Sequence, residues 1–137
     1  MTFTIACIFA AAALPYFFLL LSGLPSSTER GRWGSGYDNR EARASLEQLT
    51  GWRKRAHFAQ LNGHEAFPSF AAALICAQLA GADVTWVHAL AIGFFVFRLA
   101  HGAAYLANLG IPRSVLWGAA VSCTSGLFIV SLLSAST

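Results

Sequence analysis

Polar residues head an otherwise apolar run in the sequence Arg55-Ala-His-Phe-Ala-Gln-Leu-Asn62-Gly-His-Glu65-Ala-Phe-Pro68. At 3.6 residues per turn, Arg55, Asn62 and Ser69 recur every two turns of a helix. Glu65 follows Asn62 by three residues, so one face of this helix carries a polar stripe. A carboxylate inside a membrane helix costs about 2.5–3.5 kcal/mol on insertion scales, so we expect Glu65 to have a partner.

The partner that the sequence offers is Arg98, a charge in the middle of another apolar segment. Arg98 heads a second stripe with His101, Tyr105 and Asn108, at offsets of three, seven and ten residues. If the two helices are antiparallel, Glu65 and Arg98 each lie about 15 Å from the same membrane surface, and we expect them to meet. Two roles stay open for such a pair: an ion pair that fixes helix register, or a contact to a ligand.

The composition indicates an integral membrane protein. The chain has 137 residues, of which 56% are hydrophobic and 11% charged, and its mean hydropathy of +0.57 is too high for a soluble domain of this size. We expect one all-α domain, 1–137, a bundle of four transmembrane helices, with the first span uncleaved. Four segments are long enough to cross about 30 Å of hydrocarbon: 2–24, 56–82, 84–109 and 114–133.

The basic residues predict the orientation. The net charge is +3 and the pI is near 9.1. Apart from Arg98, however, the positive charges cluster in or at the ends of connections between spans, so we expect no nucleic-acid partner. Arg113 lies in the third connection, and the second holds only Asp83. The positive-inside rule puts the first and third connections in the cytoplasm and both termini on the other side. The remaining charges lie in or at the end of the loop 25–54: Arg30, Arg32, Arg40, Arg43, Arg53, Lys54 and Arg55.

Shorter patterns add local detail. Asp38 followed by Glu41 is a capping-box pattern and predicts a short interfacial helix within 37–49. Asp83 is expected to cap the start of the third span, after a tight turn. Small residues recur at four-residue spacing in the fourth span, at Gly118, Ser122 and Gly126, which favours close approach of another helix. The cysteines are isolated in different spans, and we expect no metal site.

Two motifs resemble the MAPEG family, the membrane-associated proteins in eicosanoid and glutathione metabolism. The first motif is Ala59-x-x-Asn62-x-x-Glu65-x-x-Pro68-x-Phe70. The second is Arg98-x-x-His101-x-x-x-Tyr105, followed by Pro112-Arg113-Ser114. The order and spacing of these motifs agree with the four predicted spans, and the resemblance extends over the whole chain. Bacterial members also carry a Tyr-Asp-Asn stretch such as the one at 37–39.

The resemblance implies a homotrimer of four-helix protomers, with glutathione bound between neighbouring protomers. The expected location is a bacterial inner membrane, where the arginine asymmetry makes both termini periplasmic. The resemblance also implies a glutathione-dependent transferase or peroxidase that acts on lipophilic electrophiles from the bilayer. Arg113 matches the family's catalytic arginine, which stabilises the glutathione thiolate, and such a charge favours the ionised thiol. The other implied site residues line or support the glutathione pocket: Arg55, Asn62, Glu65, Arg98, His101, Tyr105 and Ser114.

One position departs from the family's pattern. Many enzymatic relatives have an arginine four residues before the pocket asparagine, where this chain has Phe58. The alternative function is therefore a non-catalytic lipid-binding or scaffold trimer, because the same fold supports both roles. Each polar residue also has an ordinary structural interpretation: Asn62 as a link between helices, and Arg113 as a topology signal. A haem held by His64 and His101 is a third and weaker alternative.

Overall fold

The computed structural model describes residues 1–24 and 39–136, and every regular element among them is helical. This confirms the all-α fold class predicted from the sequence. The long elements are four α-helices, and two short elements precede the second long one. In chain order they are α1 (Thr2–Ser22), a 3-10 turn (Asn39–Glu41), α2 (Ala42–Glu47), α3 (Gly51–Leu79), α4 (Val84–Leu106) and α5 (Gly110–Ala135).

Three of the helices are long and apolar enough to cross a membrane by length and composition. They are α1, α4 and α5, with 21, 23 and 26 residues. Helix α3 has 29 residues, about 44 Å at 1.5 Å per residue, but it carries the polar stripe and the basic residues at its start. It packs against α1, α4 and α5. The chain is therefore an integral membrane protein built on at least three apolar helices.

The turn between α3 and α4 has the tight geometry and the Asp83 cap that the sequence predicted. Gly81 has φ +64°, a left-handed conformation that glycine adopts without the steric cost of a Cβ. Asp83 is the N-cap of α4, and its Oδ1 accepts hydrogen bonds from the backbone N–H groups of Thr85 and Trp86, at 2.9 and 3.2 Å. The predicted cap is confirmed.

On the basic side, α3 and α5 begin before the predicted spans, whereas α1 and α4 end two and three residues before theirs. Helix α3 begins at Gly51, five residues before the predicted start of the second span, and its first turns include Arg53. Arg53 Nε donates to the carbonyl of Ser22 over 2.9 Å, which satisfies one of the open carbonyls at the end of α1. Of the short helix predicted at 37–49, the structure describes the 3-10 turn and α2. The loop 25–38 lies outside the described residues, and with it Asp38 of the capping box and the first two residues of the Tyr-Asp-Asn stretch.

Glycines and a pair of stacked rings hold the bundle together. The ring of Phe18 on α1 packs against Gly102 on α4, where an added Cβ would overlap it. The rings of Phe70 and Phe94 stack with centroids 3.8 Å apart in the core between α3 and α4. These contacts fix α4 in register with α3, so the two polar stripes face each other.

The small residues of α5 do not act as one surface within the protomer. A Cβ added at Gly126 would contact Leu90 of α4 at 3.0 Å, so this position does allow close packing. Nothing lies within 4 Å of the corresponding point at Gly118, and Ser122 is exposed. Only one end of the predicted small-residue pattern is therefore used inside the chain.

Candidate functional site

The turn between α4 and α5 brings several of the predicted site residues together. Asn108 has φ +60°, and the backbone N–H of Leu109 donates to the carbonyl of Ala104 over 2.9 Å. This tight reversal places the first turn of α5 beside the last turn of α4. Arg113, in that first turn, is thereby brought against the stripe that α4 carries.

Arg113 contacts that stripe through both its side chain and its backbone. Its guanidinium carbon lies 4.5 Å from the centroid of the Tyr105 ring, within the range of a cation–π interaction. Its carbonyl oxygen lies 3.0 Å from Nδ1 of His101. The rings of His101 and Tyr105 meet edge to face, with centroids 5.1 Å apart. Three residues thus form one contact cluster, in which Arg113 is half-buried.

Arg55 lies at the same end of the bundle. Its Nε donates to the carbonyl of Leu106 over 3.1 Å, one residue after Tyr105. That carbonyl belongs to the last turn of α4, where helix carbonyls lack partners within the helix and where a positive charge is favourable. Arg55 therefore joins the start of α3 to the end of α4.

A hydrogen-bonded relay connects the two charges farther along the helices. Arg98 Nη1 donates to Asn62 Oδ1 over 2.8 Å, and Asn62 Nδ2 donates to Glu65 Oε2 over 3.2 Å. In the described part of the chain, no ion pair within 4 Å joins Glu65 to Arg98 directly. The two charges thus share a level, as the stripes predicted, but they are joined through Asn62. Arg98 is 4% exposed, whereas Glu65 is exposed on the protomer surface.

The relay lies in a groove between α3 and α5 with a volume of about 400 Å³. Glu65 and Ser69 form part of its α3 side and are both exposed. Its opposite side belongs to α5 and is mainly apolar. Trp117, Val121 and Phe128 lie there at the spacing of one helix face, beside the hydroxyl-bearing Thr124 and Ser125. The groove therefore combines a buried guanidinium and a carboxylate with an apolar surface that faces outward from the protomer.

A comparison with protein families agrees with the motifs. The model of the MAPEG family matches residues 4–133. The chain belongs to the MAPEG family. This membership confirms the resemblance and is consistent with a glutathione-related function in a membrane. No curated protein and no solved structure matches the chain.

The MAPEG motif residues fall into two groups in this structure. Ser114 is the exception: it is exposed, and its hydroxyl donates to the carbonyl of Gly110 in its own helix over 3.2 Å. His101 belongs to the group at the helix turn and follows Arg98, of the other group, by three residues on α4. The group at the helix turn comprises Arg55, His101, Tyr105 and Arg113, and the group in the groove comprises Asn62, Glu65 and Arg98.

The sequence did not predict that residues of α5 line the groove. Trp117, Val121 and Phe128 occur in an uninterrupted apolar helix, where they resemble lipid-facing residues. In the sequence these three residues are marked only by their spacing of four and then seven residues. Gly118, Ser122 and Gly126 on the same helix also follow a helical spacing, so periodicity alone does not show which face lines a site. Only the packing of α5 against α3 and α4 shows which of these faces lines the groove.

Proposed function

We propose that this chain is a glutathione-dependent membrane transferase or peroxidase acting on lipophilic electrophiles. The observation that carries the proposal is the position of Arg113, half-buried at the start of α5 with its guanidinium against Tyr105. In the described part of the chain no carboxylate forms an ion pair with Arg113. The neutral Tyr105 ring orients this positive charge without cancelling it.

An uncompensated guanidinium is suited to ionising a thiol. Glutathione's thiol is mostly protonated at neutral pH, and a positive charge at short range lowers the pKa of a thiol by favouring the thiolate. In the proposed transferase reaction the thiolate sulfur attacks the electrophilic carbon, a C–S bond forms, and the leaving group departs with its electron pair. Arg113 would act on the sulfur throughout.

The chemistry of the groove fits the remaining groups of glutathione. The tripeptide carries two carboxylates and one ammonium group, which match the guanidinium of Arg98 and the carboxylate of Glu65. A volume of about 400 Å³ lies within the range usual for small-molecule sites. Arg55 is placed near the turn, where it would meet a second carboxylate. The apolar α5 side would receive the lipophilic electrophile from the bilayer.

The exposure of the groove supports an oligomer. Glu65 lies 14 residues into α3, about 21 Å from its start, and its carboxylate is exposed on the isolated protomer. A carboxylate at this depth in a membrane requires a polar partner, and a neighbouring copy of the chain would supply one. We therefore propose a homotrimer of four-span protomers, with α3 as the fourth span and glutathione bound between copies.

The charge distribution supports the orientation of the trimer. Arg53, Lys54 and Arg55 lie at the start of α3, and Arg113 lies at the start of α5. Both starts are at the same end of the bundle, because the ends of α1 and α4 meet them there. By the positive-inside rule this end faces the cytoplasm. The proposed location is a bacterial inner membrane, with both termini periplasmic.

One observation favours the non-catalytic alternative, a lipid-binding or scaffold trimer. Phe58 occupies the position where many enzymatic relatives have an arginine, and its side chain is 42% exposed. Lys54 Nζ lies 5.8 Å from the centroid of the Phe58 ring, while Arg55 is engaged with the end of α4. A donor to glutathione is therefore missing at Phe58.

The Arg113→Ala variant separates the two functions. Wild-type protein mixed with glutathione should show the ultraviolet difference absorbance of a thiolate, and it should conjugate halonitrobenzenes or reduce hydroperoxides. Arg113→Ala should lose both signals, because removing the guanidinium raises the pKa of the bound thiol. A rise of one unit corresponds to about 1.36 kcal/mol and to a tenfold fall in ionised thiol. Arg43→Ala, at an exposed position on α2, is the matched control and should behave as wild type.

The outcomes are distinct. A wild-type protein with neither thiolate absorbance nor activity would favour the scaffold function. Equal activity in wild type and Arg113→Ala would show that Arg113 only sets topology, and would move the catalytic role to another residue. The variant should remain assembled, because removing a half-buried side chain beyond the apolar core opens no large cavity.

A further inference from the structure

The tautomer of His101 follows from its hydrogen bond. A carbonyl oxygen has no proton to give, so Nδ1 of His101 must be the donor in its 3.0 Å contact with the carbonyl of Arg113. The neutral ring then has Nε2 as an acceptor. This atom is sealed from solvent and has no hydrogen-bond partner in the described part of the chain, and the whole side chain is only 3% exposed.

This contact ties the first turn of α5 to α4, in addition to the bond from the N–H of Leu109 to the carbonyl of Ala104. Helix α5 begins without any side-chain cap, so its opening turn has only weak local support. Gly110, its first residue, has nothing within 4 Å of the point where a Cβ would be. The bond from His101 ties this turn to α4 at Arg113 itself. The same turn carries the guanidinium that contacts Tyr105.

We propose that His101 is a positioning residue, whose Nδ1–H holds the backbone of Arg113 so that the guanidinium stays over Tyr105. This inference rests on the proposed function, since it specifies how the thiolate-stabilising charge is held. The competing role, implied by the family resemblance, is direct contact with glutathione. That role would use Nε2, and the ring would have to move to uncover it.

Two amide substitutions distinguish the roles. The side-chain nitrogen of asparagine can occupy the place of histidine Nδ1, whereas that of glutamine reaches the place of Nε2. If His101 positions Arg113, His101→Asn should keep the thiolate absorbance within about threefold of wild type. His101→Gln and His101→Leu should each raise the pKa of the bound thiol by about one unit, a tenfold loss of thiolate below that pKa. His57→Gln, at another buried histidine, should leave the signal as in wild type.

A second measurement needs no glutathione. An arylglyoxal reagent modifies accessible guanidinium groups, and mass spectrometry reports its rate at Arg113. A held Arg113 should react slowly in wild type and in His101→Asn, and several-fold faster in His101→Gln and His101→Leu. If wild type lacks a thiolate signal, the proposed function fails, but this order of labelling rates still decides whether His101 positions Arg113.

Two results would overturn the inference. Retention of the thiolate signal in His101→Gln with loss in His101→Asn would assign the role to Nε2, and therefore to contact with the ligand. Equal impairment of His101→Asn, His101→Gln and His101→Leu in both measurements would mean that the imidazole ring acts only by packing.

Discussion

Asn62 joins the charges of Arg98 and Glu65, so its replacement by leucine should be more damaging than loss of the exposed Glu65 charge. The bond from Arg98 Nη1 is 2.8 Å long and its donor is 4% exposed. A hydrogen bond to a charged group contributes about 1.5–3 kcal/mol, and a buried donor left without a partner adds to this loss. The bond to Glu65, at 3.2 Å on an exposed carboxylate, adds less than about 1 kcal/mol. We therefore expect Asn62→Leu to lower the free energy of unfolding by about 2–4 kcal/mol.

Comparison variants test whether Arg98 interacts with Asn62 or directly with Glu65. Glu65→Gln keeps the shape of the side chain and removes a charge that does not contact Arg98, so it should cost under about 1 kcal/mol. In double-mutant cycles, Asn62→Leu and Arg98→Leu should couple by about 1–3 kcal/mol. Glu65→Gln and Arg98→Leu should be nearly additive, because Asn62 separates the two residues.

The assay is unfolding of the single protomer, purified without glutathione in a detergent that dissociates oligomers, so that neither a ligand nor a neighbouring copy contributes. A loss in Glu65→Gln as large as that in Asn62→Leu would refute the reasoning, since it would show that the carboxylate has a strong partner within the protomer. So would a stronger coupling of Arg98 to Glu65 than to Asn62. Either result would return the direct ion pair expected from the sequence.

Two further predictions test the packing and the orientation. Gly102→Ala places a methyl group against the buried ring of Phe18 and should destabilise the bundle by about 1–3 kcal/mol in the same unfolding assay. The control Gly118→Ala, with open space around it, should change stability by less than about 1 kcal/mol. Equal effects of the two variants would mean that α1 does not pack against α4 at Gly102. Reporter fusions at Thr137 and near Ser35 should be active in the periplasm and the cytoplasm respectively. Cytoplasmic activity of both fusions would exclude the proposed four-span topology, because three spans separate the two sites.

Much of the fold followed from local physics. Apolar runs of more than 18 residues have few alternatives to helices, because the backbone must satisfy its own hydrogen bonds in lipid. Asp83 was identifiable as a cap because the interaction spans only three residues. The early start of α3 was not predicted, since hydropathy marks where a segment leaves hydrocarbon and not where its helix begins.

The site was harder to predict than the fold. The stripes placed Glu65 and Arg98 at one level, but spacing does not say which side chain of α3 a guanidinium reaches. That choice depends on the crossing of the helices and on side-chain rotamers, and here it falls on Asn62. The hydrogen bond between His101 and the backbone of Arg113 could not be read from sequence at all, because any residue provides a carbonyl.

The two groups of the site divide the proposed reaction between binding and ionisation. Arg98 already donates to Asn62 within the protomer, so its charge is partly committed to the relay that holds α3 and α4 together. Arg113 has no such acceptor for its side chain in the described part of the chain, only the face of Tyr105. A cation–π contact contributes about 0.5–2 kcal/mol and is easily exchanged for a stronger charge–charge contact. A thiolate would therefore recruit Arg113 at little cost, whereas the N–H groups of Arg98 that do not bind Asn62 are suited to holding a glutathione carboxylate.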